Sequence, residues 1–162
     1  MSLVLDASMA VAWLFDDETT EAAHQVMRRV AAEGAVVPSL WRLEVANILR
    51  NAVRRGRCDD AYADRSLRRL ERLLIAVDTE TDTRAWGETR NLSRDENLTL
   101  YDAAYLELAL RIQRPLASCD AALVTAALAD AMAAADEIVV ESKSHTLGDV
   151  SIRDLLDEGR RG

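Results

Sequence analysis

The sequence contains few of the residues from which many functional sites are built. Its two cysteines, Cys58 and Cys119, are far apart and have no partner spacing. This excludes a disulfide framework and a cysteine zinc site, and it indicates free thiols in a reducing compartment. The two histidines, His24 and His145, lie in an amphipathic stretch and in a polar tail, so we expect neither a histidine metal site nor a catalytic triad. A glycine-rich phosphate loop is also missing.

Long hydrophobic runs and lysines are equally scarce. No segment approaches the roughly 18–20 apolar residues that span a bilayer, and no signal peptide opens the chain, so we expect a cytoplasmic protein. Lys143 is the single lysine among 20 basic residues. Because 28 residues are acidic, the net charge is −8, which argues against bulk attraction to nucleic acid but leaves room for local basic patches.

The 162 residues, 49% of them hydrophobic, suffice for one globular domain with a substantial core. Short apolar segments alternate with helical segments, which predicts an α/β fold with a mostly parallel sheet covered by helices on both faces. We place this domain at residues 1–141 and a polar C-terminal extension, with a candidate short helix at 151–158, at residues 142–162. The five predicted strands cover residues 3–7, 35–38, 75–78, 116–120 and 137–141.

Four carboxylates are predicted to lie around one crevice. Asp6 and Asp120 follow predicted strands, and ligands of open α/β sheets bind beyond the carboxyl ends of the strands. Glu44 lies among large apolar residues of a predicted helix, and Asp102 lies near a helix start. Structural alternatives remain: Asp6 as a turn former, Asp120 as a helix cap, and Asp102 in a capping box with Thr99. Glu44 has no such alternative.

Carboxylates that converge without histidine or cysteine favour a hard cation. Mg²⁺ and Mn²⁺ prefer oxygen ligands, and such an ion activates water and neutralises charge on a phosphodiester. Ser8 and Ser118 each lie two residues from a strand-end aspartate, and we expect their hydroxyls to orient it.

Arginines form a second group of interest. One interpretation is that they follow a phosphate backbone. The other is a solvated helix face on which acidic neighbours such as Glu71 offset them, which we expect for at least half of the group. The arginines are Arg50, Arg54, Arg55, Arg57, Arg65, Arg68, Arg69 and Arg72.

Four segments, in order and spacing, resemble the PIN-domain family, and most closely its VapC-like toxins of type II toxin–antitoxin modules. The resemblance covers about residues 1–140. The segments are Val-Leu-Asp-Ala-Ser from Val4, Val-Pro-Ser-Leu-Trp-Arg-Leu-Glu-Val-Ala-Asn from Val37, Leu-Thr-Leu-Tyr-Asp-Ala-Ala-Tyr from Leu98, and Leu-Ala-Ser-Cys-Asp from Leu116.

The resemblance implies a three-layer α/β/α sandwich and a Mg²⁺- or Mn²⁺-dependent endoribonuclease. It further implies a homodimer, a cognate antitoxin whose tail enters the active-site groove, and a tRNA, rRNA or mRNA substrate. Arg42 is a candidate for positioning the RNA backbone. The family's catalytic acids would be Asp6, Glu44, Asp102 and Asp120, with Asp6, Asp102 and Asp120 as metal ligands and Ser8 and Ser118 supporting them.

Other classes fit less well. A receiver domain should carry an acidic pair after its first strand, and no second acid stands beside Asp6. A haloacid-dehalogenase-like phosphatase needs Asp-x-Asp there, whereas this chain has Ser8 at the second position. A cation-binding domain without catalysis remains an alternative, which metal titration without RNA cleavage would favour. A PIN nuclease of RNA processing is another, which a small DNA-binding protein encoded directly upstream would argue against.

Overall fold

The computed structural model describes residues 2–134 together with residues 146–147 and 150–151. Strands and helices alternate over most of this length, as the apolar pattern predicts. The strands are β1 (Leu3–Leu5), β2 (Ala35–Val37), β3 (Ile75–Val77), β4 (Leu116–Ala117), β5 (Thr146–Leu147) and β6 (Val150–Ser151). The helices are α1 (Ala7–Ala12), α2 (Glu21–Glu33), α3 (Trp41–Arg54), α4 (Asp60–Glu71), α5 (Thr81–Arg84), α6 (Glu88–Asp95), α7 (Leu100–Ile112) and α8 (Ala121–Ala134).

Four of the strands form a parallel sheet in the order β3-β2-β1-β4, flanked by helices. This confirms the predicted α/β class and four of the five predicted strands. The fifth, at residues 137–141, lies outside the described residues. β5 and β6 form a separate antiparallel pair. This pair includes Ser151, the first residue of the candidate short helix, and the rest of that segment is outside the described part of the chain.

The central strand β1 has the most apolar surroundings. Leu3, Val4 and Leu5 have no solvent exposure, because β2 and β4 pair with β1 on either side and helices cover its faces. The amide of Asp6 continues the pairing by donating to the carbonyl of Ala117 at 3.0 Å. The ends of β1 and β4 are therefore adjacent, as the crevice hypothesis requires.

The helix α7 brings a second group of side chains to this edge of the sheet. Thr99 caps it, because the threonine hydroxyl accepts a hydrogen bond from the Asp102 amide at 3.1 Å. Eight consecutive residues of α7 are buried, since the helix contacts β1, β4, α6 and α8. From Asp102 to Ala109 the helix thus lies inside the molecule, and it contacts β1.

The sharp connection between α2 and β2 depends on Gly34. Its φ of +79° lies in the region that favours glycine, and a Cβ there would approach the carbonyl oxygen of Leu74 to 2.8 Å. This close approach holds the start of β2 beside β3. In the described residues, no helix is both long and apolar enough to cross a bilayer.

Candidate active site

Asp6 occupies the centre of the site, directly after β1, with 4% of its surface exposed. Its Oδ2 accepts hydrogen bonds from the hydroxyl of Ser118 at 2.7 Å and from the hydroxyl of Ser8. The two serine oxygens in turn accept backbone amides, Ser8 from Cys119 at 3.0 Å and Ser118 from Asp120 at 2.9 Å. The structure therefore brings both predicted serines to Asp6 and fixes the direction of its carboxylate.

Glu44 reaches the same region from the first turn of α3. The hydroxyl of Tyr105, a residue of α7 with no solvent exposure, donates to Oε2 of Glu44. The same hydroxyl is hydrogen-bonded by the backbone amide of Ala7. Burial, followed by the charges of Glu44 and Asp6, raises the pKa of Tyr105 well above its ordinary value, so the hydroxyl keeps its proton as a donor.

Asp102 combines a structural contact with a position in the site. Its Oδ2 accepts from the Thr99 hydroxyl at 2.6 Å, and its amide donates to the same hydroxyl, so Thr99 caps the helix and contacts Asp102 as anticipated from the sequence. The side chain is also close enough to Asp6 for its charge to raise the pKa of that carboxyl. The two roles coexist in one residue.

Asp120 is a helix cap and a neighbour of the site at once. Its Oδ1 accepts from the amides of Ala122 at 2.9 Å and Leu123 at 3.0 Å at the start of α8. Its own amide joins it to the Ser118 hydroxyl that binds Asp6. Oδ2 of Asp120 makes no hydrogen bond within the described residues, which leaves one oxygen for a ligand.

The carboxylates of the site repel one another. The pKa of Asp6 is raised from 3.8 to about 7, first by burial, then by the charge of Glu44 and, to a smaller extent, that of Asp102. The bonds from Ser8 and Ser118 act in the opposite direction. A cation bound between these groups would remove the repulsion.

The donor set of this site consists of carboxylates that do not form a closed metal cage. Within residues 2–134 and the two short strands, no group of three or more His, Cys, Asp or Glu side chains lies close enough together to hold a metal ion. Mg²⁺ takes only one or two carboxylates directly and keeps several waters. One or two of the carboxylates of Asp6, Asp102 and Asp120, with waters as the other ligands, would therefore suit this ion by donor chemistry and by charge.

Arg42 is not joined to this group. It is exposed in the first turn of α3, two residues before Glu44, and its neighbour Leu43 is 77% exposed. Residues two apart on a helix point in different directions. The structure therefore places Arg42 on the outer surface near the crevice rather than in it.

Comparison with known proteins agrees with this geometry. The family model described as PIN domain matches residues 3–135. The chain belongs to the PIN domain family. Ribonuclease VapC3 of Pyrobaculum aerophilum is 30% identical over 120 residues, which cover 74% of this chain and 90% of that protein. The predicted resemblance to VapC-like PIN proteins is thus confirmed.

A solved structure gives the same fold for this PIN domain. The crystal structure of PAE2754 from Pyrobaculum aerophilum superposes with a TM-score of 0.62, over 100% of this chain and 91% of that one. Its sequence identity is 20%, so this likeness concerns the fold alone.

Sequence reasoning did not assign a role to Tyr105 of this PIN domain. The sequence does contain a signal, because Tyr105 lies three residues after Asp102 and so on the same helical face. Its partner Glu44 is 61 residues away, and that contact follows only from the packing of α7 against the end of β1.

Proposed function

We propose that this PIN domain protein is a metal-dependent endoribonuclease that hydrolyses RNA phosphodiester bonds in the crevice of Asp6, Glu44, Asp102 and Asp120. The observation that carries the proposal is the buried Asp6 carboxylate, which two serines orient and two other carboxylates repel. The name of the VapC3 relative, which is 30% identical, supports RNA as the substrate.

In this proposal each residue of the crevice has a separate role. Asp6, Asp102 and Asp120 would hold Mg²⁺, or Mn²⁺ in its place, and Ser8 and Ser118 keep Oδ2 of Asp6 in position. Bound there, the ion would lower the pKa of a water ligand and neutralise charge on the phosphate. Glu44, which accepts a hydrogen bond from the Tyr105 hydroxyl, would be available to accept a hydrogen bond from a water ligand of the ion. Arg42 on the outer surface is suited to contact another phosphate of the same RNA molecule.

The proposal includes a biological setting. As in a VapC-type toxin, the protein would act in the cytoplasm as a homodimer, on tRNA, rRNA or mRNA, and a cognate antitoxin would inhibit it. A small DNA-binding protein encoded directly upstream would support the toxin role over a role in RNA processing.

The test compares RNA cleavage by the wild type, Asp6→Asn and Asp95→Asn. Asp95 is an exposed carboxylate paired with Arg94 away from the crevice, so its variant is the matched control. With Mg²⁺ and total cellular RNA, Asp6→Asn should cleave roughly a hundredfold more slowly or worse, whereas Asp95→Asn should match the wild type. Equal cleavage by all three proteins, or cleavage that EDTA does not affect, would contradict the proposal.

A further inference from the structure

Tyr101 is one of two aromatic side chains on the surface of the protein. The chain has three Trp, three Tyr and one Phe, and all of them lie in the part that the structure describes. Four of these residues are buried and Tyr62 is half-buried, whereas Trp86 is 92% exposed and Tyr101 is 41% exposed. The core therefore contains most of a scarce residue class, and these two aromatics remain in contact with solvent.

Tyr101 lies in the first turn of α7, directly before Asp102. With about 100° per helical residue, Tyr101, Asp102 and Tyr105 fall within one arc of about 100° around the helix axis. The exposed fraction on this arc is 41% at Tyr101, 9% at Asp102 and zero at Tyr105. Tyr101 is therefore the solvent-exposed border of the face of α7 that supplies side chains to the crevice.

The hydrogen bond of Tyr105 relates Tyr101 to the acids of the crevice. Side chains of a helix are tilted toward its N-terminus, so the Tyr105 hydroxyl extends toward the first turn of α7. That hydroxyl donates to Glu44, which lies in the first turn of α3. Residues four apart on a helix are neighbours, with Cβ atoms about 6 Å apart. Tyr101, one turn before Tyr105, therefore borders the contact between α7 and Glu44 on its solvent side.

An aromatic ring at this border is suited to a nucleobase. A phosphodiester held at the acids has a base on each side of it, within reach of the border of the crevice. Stacking of a base on an aromatic ring tolerates any sequence, because every base has a π-face. The net charge of −8 gives the protein little general attraction for a polyanion, so an uncharged contact of this kind gains importance.

We propose that Tyr101 stacks on a base next to the cleaved bond and that the site therefore acts on unpaired RNA. This proposal rests on the proposed ribonuclease function. In an A-form duplex each base is stacked on its neighbours and paired with its partner, so only an unpaired base can turn onto the ring. Tyr101 thus selects unpaired RNA, whereas the carboxylates of the crevice act on the phosphate whatever its base.

The test measures RNA binding by Asp6→Asn protein, which should not cleave. In this background Tyr101→Ala removes the ring and Tyr101→Phe keeps it. Alanine is the best helix former, so the first change should leave α7 intact. Fluorescence anisotropy in the presence of Mg²⁺ compares three labelled probes of equal length: a single-stranded oligoadenylate, an abasic oligomer with the same sugar–phosphate chain, and an RNA duplex.

Trp86→Ala is the matched control, because it removes the other exposed aromatic side chain. Trp86 lies between α5 and α6, two residues after Arg84. The ion pairs of Arg84 are with Glu80, Glu88 and Glu107, none of which is an acid of the crevice.

We expect Tyr101→Ala to bind oligoadenylate roughly tenfold more weakly, which is within the range for the loss of one stacked base. Its affinity for the abasic oligomer and for the duplex should not change. Tyr101→Phe and Trp86→Ala should bind all three probes as tightly as the parent protein. An unchanged affinity of Tyr101→Ala for oligoadenylate would overturn the proposal. An equal loss with the abasic oligomer would also overturn it, because the tyrosine would then act on the backbone or on the fold.

Cleavage distinguishes a failure of this proposal from a failure of the proposed function. With Asp6 intact, Tyr101→Ala should lower kcat/KM for single-stranded RNA roughly tenfold. If this variant cleaves as well as the wild type, only the stacking proposal fails. If the wild type cleaves no RNA and Asp6→Asn binds none of the probes, the proposed function fails. A change of oligomeric state in Tyr101→Ala alone, seen by size-exclusion chromatography, would identify a second copy of the chain as the occupant and overturn the stacking proposal.

Discussion

Two aspartates at the same edge of the sheet, Asp6 and Asp78, have pKa values that are shifted in opposite directions. Asp6 follows β1 and Asp78 follows β3, and each accepts hydrogen bonds from nearby hydroxyls, Asp6 from two serines and Asp78 from Thr81. Asp78 also receives the guanidinium of Arg111 at 2.9 Å, whereas Asp6 has no basic partner among the described residues. The presence of a cation distinguishes the two positions.

The pKa values express this difference. Burial raises the pKa of both carboxyls, and at Asp6 the charges of neighbouring acids raise it further, to about 7. At Asp78 the hydrogen bonds from Thr81 and Arg111 outweigh burial and hold the pKa below its ordinary value. We infer that Asp78 has a structural role, because Arg111 neutralises its charge. Asp6 has no such partner, and we infer that it is arranged to bind a cation from solution.

The structural cluster also supports the site. Arg111 in the last turn of α7 pairs with Asp78 and with Glu107 at 2.9 Å, and Arg84 of α5 reaches Glu107 at 3.6 Å. These pairs hold the end of α7 against the sheet. The other end of α7 carries Asp102, so the position of one acid of the site depends on an ion-pair network at the far end of the helix.

The largest effect is expected for Arg111→Gln. The change leaves Asp78 and Glu107 largely buried without their shared cation, and such a loss lowers the free energy of unfolding by about 3 kcal/mol or more. Urea denaturation at pH 7 measures it. Removal of Asp6 in Asp6→Asn should not destabilise the protein, since that carboxylate has no cation to lose.

The control for this prediction is Arg94→Gln, which breaks an exposed pair with Asp95 and should cost roughly 0.5 kcal/mol or less. A loss in Arg111→Gln as small as that in the control would remove the contrast between the two aspartates.

The sequence predicted the strand-end acids more reliably than their partners. The apolar run that precedes Asp6 predicts its position at a strand end, and the spacing of two residues to a strand-end aspartate predicts the contacts of Ser8 and Ser118. Both inferences are local. The partner of Asp78 is 33 residues away on α7, and nothing local distinguishes an aspartate with an arginine partner from one without. That difference is set by helix packing, which the sequence pattern does not specify.

An intermediate effect on stability is expected at Glu18. Arg57 pairs with this carboxylate, and burial still disfavours its charged form. Its side chain has no exposure and pairs with Arg57 at 2.8 Å. Burial outweighs the attraction of Arg57, and Asp17 adds repulsion, so the pKa of Glu18 is raised from 4.5 to about 7. Glu18 therefore tests how far one arginine compensates for complete burial.

The sign follows from linkage. A raised carboxyl pKa means that the folded state binds the proton more tightly, so this contribution to stability is complete below about pH 4.5 and is lost as the pH rises through 7. Between these pH values the free energy of unfolding of the wild type should fall on the order of 2 kcal/mol more than that of Glu18→Gln. Urea denaturation of both proteins at pH 4.5, 6 and 8 measures the difference, and parallel pH profiles would show that Arg57 compensates fully.

The smallest effect is expected for Tyr105→Phe, which tests whether the crevice is arranged for a cation. The hydroxyl joins Glu44 to the amide of Ala7, beside Asp6, so its loss removes one hydrogen bond that orients Glu44 and leaves every carboxylate in place. Partners that orient metal-site residues in this way contribute roughly tenfold or more to metal affinity. We therefore expect calorimetric titration with Mn²⁺ to give at least tenfold weaker binding.

Tyr62→Phe is the matched control for that measurement. Its hydroxyl donates to the carbonyl of Leu14, away from the crevice, so both variants lose one hydrogen bond to a protein oxygen and both should lose about 1 kcal/mol of stability. Only Tyr105→Phe should change the affinity for Mn²⁺. If the two variants bind Mn²⁺ with equal affinity, the Tyr105 hydrogen bond contributes to packing and not to cation binding. Glu44 would then have no part in the difference between Asp6 and Asp78, which would depend on the surroundings of Asp6 alone.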